Sequence, residues 1–262
     1  MILIIDSDAS KVIDAVRATG VVITRPMIEY THYLIKNMKA IGTWDLCNAV
    51  YGFVGGTADS HKWNWKDLRD VDAAFRLTYS GTVTHSANGM QGNGTNGIAN
   101  TFLSPSTSLT ANNTHLSIYF NNNIQGDIID ISSSESGRTR EFTFTSGYTG
   151  FGCISDMYDV NNGRLIGTNT RYDGYFISNK ISNISHTVYR NSSPIGFKSA
   201  ISGLILPSIS VKLMAFVELG FNATNFSNRR QAFTTIGAGL TDTQAQQQSQ
   251  IVTNAQNILN RA

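Results

Sequence analysis

The sequence predicts a mainly β protein: a two-sheet antiparallel jelly-roll sandwich with a helical N-terminal region and a C-terminal closing helix. Three observations carry that prediction. Short apolar runs, several alternating with polar residues, recur from residue 73 onward with no helical pattern between them, which excludes a parallel sheet joined by crossover helices. Asn-, Gly- and Ser-rich turns separate the runs, at Asn121-Asn122-Asn123, Asn161-Asn162-Gly163 and Asn191-Ser192-Ser193-Pro194. Charged residues are only 15% of the 262, against 41% hydrophobic, so Asn, Ser, Thr, Gln and Gly must supply the polar surface. That texture suits a turn-rich sandwich and proteins that work outside a cell.

Residues 1–58 read as a helical N-terminal region of two to three helices. In 8–19, Val12, Ile13 and Val16 share a face and Gly20 stops the helix. In 24–41, Thr24 stands at the cap, Pro26 lies in the first turn and Gly42 ends the helix. Tyr30, Leu34, Met38 and Ile41 line its apolar face. Residues 44–54 read as a third helical segment, ended by Gly55-Gly56.

Residues 59–72 form a linker carrying Trp63 and Trp65, two positions apart. Indoles so placed are candidates for stacking on the faces of sugar rings; the other reading is that they pin the linker to the β-domain. Residues 73–262 form the sandwich, with strands expected at 74–78, 82–85, 115–120, 127–131, 141–145, 150–154, 172–178 and 185–190. The clearest alternation runs over 209–218, and a last strand over 231–236. A helix over 241–260 follows, opened by a capping box of Thr241 and Gln244. Ala245, Ile251, Val252, Ala255, Ile258 and Leu259 form a stripe too weakly apolar to stand alone, so this helix must lie on the β-structure.

A formal net charge of +2 without a basic cluster supplies no footprint for nucleic acid or an anionic membrane. No run of about 18 apolar residues is present, so no membrane span is expected. Cys47 and Cys153 lie in segments of different character and read as two buried thiols, with a disulfide as the alternative. Asp6 and Asp8 follow the apolar opening at once, leaving neither a basic region nor a long apolar one for an export signal. A chain that folds in a cytoplasm, joins a particle there and leaves by lysis fits both features.

Gly92, Gly94 and Gly97 satisfy the letter of G-x-G-x-x-G, but no helix pattern follows, so these glycines serve turns. A retaining glycosidase on this fold would carry two acids two apart on one strand. Glu29, Glu135, Glu141 and Glu218 have no second acid at that spacing, although carboxylates distant in sequence can still meet. Asp6-Ser7-Asp8-Ala9-Ser10 begins like a calcium loop and fails at Lys11 and Arg17. Asp156, Asp159 and Asn161 are the metal candidates, for Ca²⁺, against a reading as solvated turn residues. The five histidines show no ligand spacing; His115 and His186 sit at strand starts.

Three pieces together resemble the concanavalin A-like lectin/glucanase (laminin G-like) jelly roll over residues 73–262. They are the Gly-Asn-rich 88–97 leading into apolar 98–103, the hairpin 188–195, and the 232–242 run followed by its helix. The whole chain also resembles a module of tailed phages of Bacteroidetes hosts, through Trp44, Asp45, Ala49, Tyr51, Phe53, Gly55, Gly56 and Thr57, then 67–78 and 92–96. The resemblance implies a non-enzymatic structural component of a virion: a capsid decoration, head fibre or tail protein. Its partners would be other virion proteins, copies of itself and a host-surface glycan, with no catalytic residue and no cofactor. A standalone carbohydrate-binding module and a glycan-cleaving enzyme are the alternatives.

Overall fold

A computed structural model describes residues 5–158, 164–199 and 205–262, and the statements below concern those residues. The alternating runs pair into two antiparallel sheets. In the first, β13 (Ser193–Lys198), β12 (Ser185–Arg190), β11 (Gly174–Ser182), β6 (Thr114–Phe120), β15 (Arg230–Gly237), β4 (Gly89–Gly92) and β3 (Val83–Ser86) lie side by side in that order. β1 (Cys47–Tyr51) joins the same sheet on the far half of β15, with Val50 opposite Thr235. The second sheet runs β10 (Leu165–Gly167), β9 (Cys153–Met157), β8 (Glu141–Thr145), β7 (Ile131–Ser134), β14 (Lys212–Leu213), β5 (Ile98–Asn100) and β2 (Thr78–Ser80). The chain passes repeatedly from one sheet to the other, and the result is a jelly-roll sandwich.

Period two divides each strand of the first sheet between two cores. Leu116, Ile118, Phe120, Phe176, Val188 and Ile236 face the second sheet and meet Phe142, Phe144 and Leu213. Tyr119, Tyr175, Ile177, Tyr189 and Phe233 face outward and are buried beneath helices. Those helices are α1 (Ser7–Ala18), α2 (Arg25–Ala40) and α5 (Asp242–Ile258); α3 (Ala58–His61) and α4 (Pro105–Ser108) are single turns. The predicted capping box of α5 forms, with Thr241 Oγ1 accepting from Gln244 N and Gln244 Oε1 from Thr241 N. α5 packs on α2 and β11, so it closes the outer face of the first sheet rather than the space between the sheets. Among the described residues no helix is long and apolar enough to cross a membrane.

The buried glutamines of this helix each donate through their amide nitrogen to a buried tyrosine. Gln248 Nε2 donates to Tyr175 Oη at 2.9 Å, Tyr175 Oη donates to Ser117 Oγ at 2.6 Å, and Ser117 and His115 both reach Thr235 Oγ1, at 2.5 and 2.9 Å. Gln256 Nε2 meets Tyr30 Oη, which donates to Gly52 O.

Two expectations are corrected. Residues 44–54 do not form a third helix: 47–51 are β1, with Ala49 and Tyr51 facing the second sheet and Val50 facing the helices. A strand buried on both faces loses its alternation, so its pattern cannot be told from a helical one. Residues 209–218 are not one long strand: Lys212–Leu213 form a two-residue strand, and Phe216 and Glu218 make only isolated bridges to Thr224 and Ser134. At Met214 the backbone turns left-handed (φ 72°), its N–H bonding Asp130 O and its carbonyl accepting from Ser227 N. Cys47 and Cys153 are free and buried, and burial pushes both thiols up to about 12. Asp6, at the failed calcium loop, caps α1 and pairs with Lys39 Nζ at 2.8 Å.

At one end of the sandwich, Arg229 and Asp130 are both fully buried. Arg229 Nη1 donates to Asp130 Oδ2 at 2.5 Å and to Thr145 Oγ1 at 2.9 Å; Nε bonds Ile124 O at 2.8 Å and Nη2 bonds Gly147 O. Asp130 also accepts from Ser227 Oγ at 2.7 Å and Ser146 N at 3.0 Å. Asp130→Ala leaves the guanidinium buried without its counter-charge. We expect a loss of about 3–5 kcal/mol in urea unfolding, and a loss below about 1 kcal/mol would show that the pair does not hold the sheets.

Candidate functional site

The long helices cover the outer face of the first sheet, while loop residues such as Arg138, Arg164, Phe216 and Glu218 flank the outer face of the second. There, strand alternation sends Phe142 and Phe144 inward and Glu141 and Thr143 outward on β8. On β9 it sends Cys153 and Met157 inward, Ile154 and Asp156 outward. Ile166 of β10 extends the same face. A groove of about 380 Å³ opens over these residues, walled by Ile129, Arg138, Tyr148, Phe151, Arg164, Phe216, Glu218, Thr224 and Asn225.

Its polar floor is tightly organised. Arg164 grips Asp156 with two parallel bonds, Nε to Oδ1 at 2.9 Å and Nη2 to Oδ2 at 2.8 Å, the fork geometry that fixes both partners. Thr143 Oγ1 donates to Asp156 Oδ2 at 2.9 Å. Arg164 Nη2 also lies 3.4 Å from Glu141 Oε2, and Arg138 Nε donates to Glu141 Oε1. Arg164 Nη2 thus bridges the two carboxyl groups. Burial pushes Glu141 up to about 7; the neighbouring Asp156 adds to this and Arg138 opposes it. The hydrogen bond to Asp156 raises Arg164 still further above its ordinary value.

The wall is preorganised as well. The Arg138 guanidinium lies over the Phe216 ring, 4.9 Å from its centroid. Glu218 Oε1 accepts from Gly137 N at 2.7 Å and pins the turn that carries Arg138. Arg138 itself is held at φ 54°, a left-handed backbone that L side chains seldom adopt.

The predicted site residues fare differently. Trp63 and Trp65 are buried in the core between helices and first sheet, so neither offers a ring face to a sugar. Trp65 lies edge-on to Tyr30 at 6.1 Å, against Gly52, where an added Cβ would come within 2.0 Å of the indole. Between the two indoles, Asn64 Oδ1 accepts from Val50 N, and its amide donates to Asn48 O and Ala74 O. The pair therefore pins residues 59–72 to the sheet. Of the metal candidates, Asp156 has both oxygens taken by a guanidinium where a cation would sit; Asp159 and Asn161 lie outside the described residues. Among the described residues no group of three or more His, Cys, Asp and Glu is placed to hold a metal ion. Asn93 Oδ1 accepts from the N–H groups of Thr95, Asn96 and Gly97, making the glycine-rich stretch a closed turn leading to β5. His115 is buried in the network under α5, and burial lowers it to about 4; His186 is buried beside Ser178.

Sequence reasoning missed the Glu141, Asp156 and Arg164 cluster. The available signal was Glu141 and Thr143 alternating with Phe142 and Phe144, which marks a polar outer face.

No protein-family model matches the chain, and no curated protein matches it. Among solved structures the chain is similar to domain 4 of AbnA, a GH43 extracellular arabinanase from Geobacillus stearothermophilus, in complex with arabinotriose. The identity is 13% and the TM-score 0.48, over 78% of this chain and 98% of that one. It is similar to Trypanosoma rangeli sialidase at 9% identity and TM-score 0.45, over 87% of this chain and 39% of that one. It is also similar to the SAP-like pentraxin from Limulus polyphemus, at 12% identity and TM-score 0.35, over 55% and 70%.

Glu141 makes stability pH-dependent. In the unfolded chain it loses its proton near 4.5, and in the fold it keeps it to about 7. The folded state therefore binds the extra proton, and the contribution, complete below 4.5, is lost as pH rises through 7. Urea unfolding of the native protein and Glu141→Gln across pH 4–8 should show the native protein losing stability relative to the variant in that window. A difference independent of pH would show that Glu141 does not carry the extra proton.

Proposed function

We propose that this protein is a non-enzymatic carbohydrate-binding β-sandwich whose ligand lies in the groove over β8, β9 and β10. The observation that carries the reading is a concave site in which aromatic rings flank a fixed set of polar groups. Sugars present apolar C–H faces and a rim of hydroxyls. Tyr148, Phe151 and Phe216 match the first, and Asp156, Arg164, Asn225 and Thr224 match the second. Because the floor is already hydrogen-bonded, little ordering is required on binding.

Binding without cleavage is supported by the carboxyls. Hydrolysis of a glycosidic bond uses two carboxyl groups separated by roughly 5–5.5 Å or 6.5–9.5 Å, with the sugar between them. Glu141 and Asp156 are instead buried, bridged by Arg164, and Glu141 is also held by Arg138. Glu218, the remaining acid of the wall, is engaged with Gly137 N.

The setting we propose, a tailed-phage virion with copies of this chain arrayed beside other particle proteins, is supported by the resemblance through Trp44 to Thr57. Those residues serve the fold. Trp44, Tyr51 and Phe53 are buried, Gly55 (φ 103°) leaves no room for a Cβ beside Ser60, and Thr57 caps α3. Host-surface glycan is the ligand this setting supplies.

On a glycan array the protein should retain at least one oligosaccharide. Tyr148→Ala or Phe151→Ala should weaken retention about tenfold, the loss of one ring contact, without lowering the melting temperature. An array with no bound glycan would sink the groove reading. The setting is checked separately: mass spectrometry of purified particles should contain this chain in multiple copies, and its absence from them would remove the virion role.

A further inference from the structure

The groove does not end at its own wall. Phe151 and Ile166, about half exposed at 51% and 50%, also line a second, larger cleft of about 750 Å³ at the edge of the sandwich. The two side chains form an apolar saddle joining the two depressions. The floor of the second cleft is bare backbone, because packing demands glycine there. A Cβ on Gly152 would meet Gly167 O at 2.1 Å, and one on Gly167 would meet Cys153 Sγ at 2.4 Å. Its polar rim is set in advance: Asn169 accepts from Cys153 N at 2.7 Å and donates to Ser146 O and Arg171 O. Thr168 and Ser193 stand exposed at the rim.

Charge along this path is already matched within the protein. Arg164 is paired to Asp156, Arg138 to Glu141, and Arg190 to Asp173 at 3.0 Å. Each arginine among the described lining residues is thus already held by a carboxyl group, Arg190 sharing Asp173 with Arg171, so none is left unpaired for a carboxylate or sulfate. A peptide is disfavoured for a different reason. Just beyond β10 the main chain is already engaged with β13, Thr168 N bonding Ile195 O at 2.9 Å, so that donor is not offered for main-chain pairing.

We infer that the ligand is an extended, neutral glycan chain that runs from the groove across the Phe151–Ile166 saddle into the edge cleft, and that a terminal sugar or an acidic polysaccharide is not the target. This rests on the carbohydrate-binding reading and adds to it chain length and charge.

Calorimetric titration with xylo-, gluco- and manno-oligosaccharides of one to six units, and with oligogalacturonates as acidic counterparts, tests it on the full chain. In at least one neutral series the affinity should rise about tenfold or more from two units to six, while the oligogalacturonates do not bind. Filling the edge cleft by Thr168→Trp or Ser193→Trp, both at exposed positions, should bring the six-unit ligand down to the affinity of the two-unit one, with the melting temperature unchanged. Equal affinity for two and six units, or a six-unit affinity unmoved by both fillings, overturns the extended path and leaves the groove reading standing. Tighter binding of oligogalacturonates overturns the neutral assignment. Failure of every series to bind overturns the groove reading together with this one.

Discussion

The fold depends on one buried charge pair being completely satisfied. Arg229 precedes the first residue of β15 and Asp130 precedes the first of β7, so their bond ties the two sheets at one end of the sandwich. Removing two ions from water costs several kcal/mol each, and only excellent geometry with further hydrogen bonds repays it. The complement is present: Ile124, Thr145 and Gly147 accept from the guanidinium, while Ser146 and Ser227 donate to the carboxylate. β15 carries β6 on one side and β4 and β1 on the other, then leads directly into α5. The loop held at Gly147 continues into Tyr148 of the groove wall. One contact therefore aligns the sheets, the helical layer and the candidate site.

The two outer faces of the sandwich have opposite fates for a chemical reason. The first sheet presents Tyr119, Tyr175, Tyr189 and Phe233, large rings that require cover, and α1, α2 and α5 supply it. The second presents Glu141, Thr143, Ile154 and Asp156, a mostly polar face that is buried with its carboxyls paired to Arg138 and Arg164. Burying the polar side of α5 was feasible because Tyr175, Ser117 and Thr235 relay hydrogen bonds from Gln248 into the sheet. Leaving the other face without a helical layer creates the concavity.

Local rules were legible where one short segment decides the outcome. Strands Glu141–Thr145 and Ser185–Arg190 form with the bounds their alternation indicates. The turn Asn191-Ser192 takes positive φ at both central residues, 45° and 73°, as a two-residue hairpin requires. Thr241 and Gln244 cap α5 as their spacing indicates. Where both faces of a segment are buried, as at Val50 and its neighbours, the same rules cannot separate strand from helix. At Met214 a tertiary hydrogen bond to Asp130 overrides the alternation of 209–218. Trp63 and Trp65 illustrate a further limit, since a tryptophan pair reads alike whether it stacks on sugar or fills a core.

By itself, the sequence determined the β-sandwich class, the positions of several strands, both long N-terminal helices, the capped closing helix and the lack of close-spaced metal or catalytic motifs. These follow from periodicity, turn chemistry and capping, which act over a few residues. Only the tertiary structure decided which face the helices cover, that the tryptophans are core, and that a groove lies over β8 and β9. It also decided the pairings that matter most: Arg229 with Asp130, 99 positions apart, and Glu141 with Asp156 and Arg164 from three separate segments. Such contacts depend on strand register and on how two sheets stack, and no local pattern encodes either.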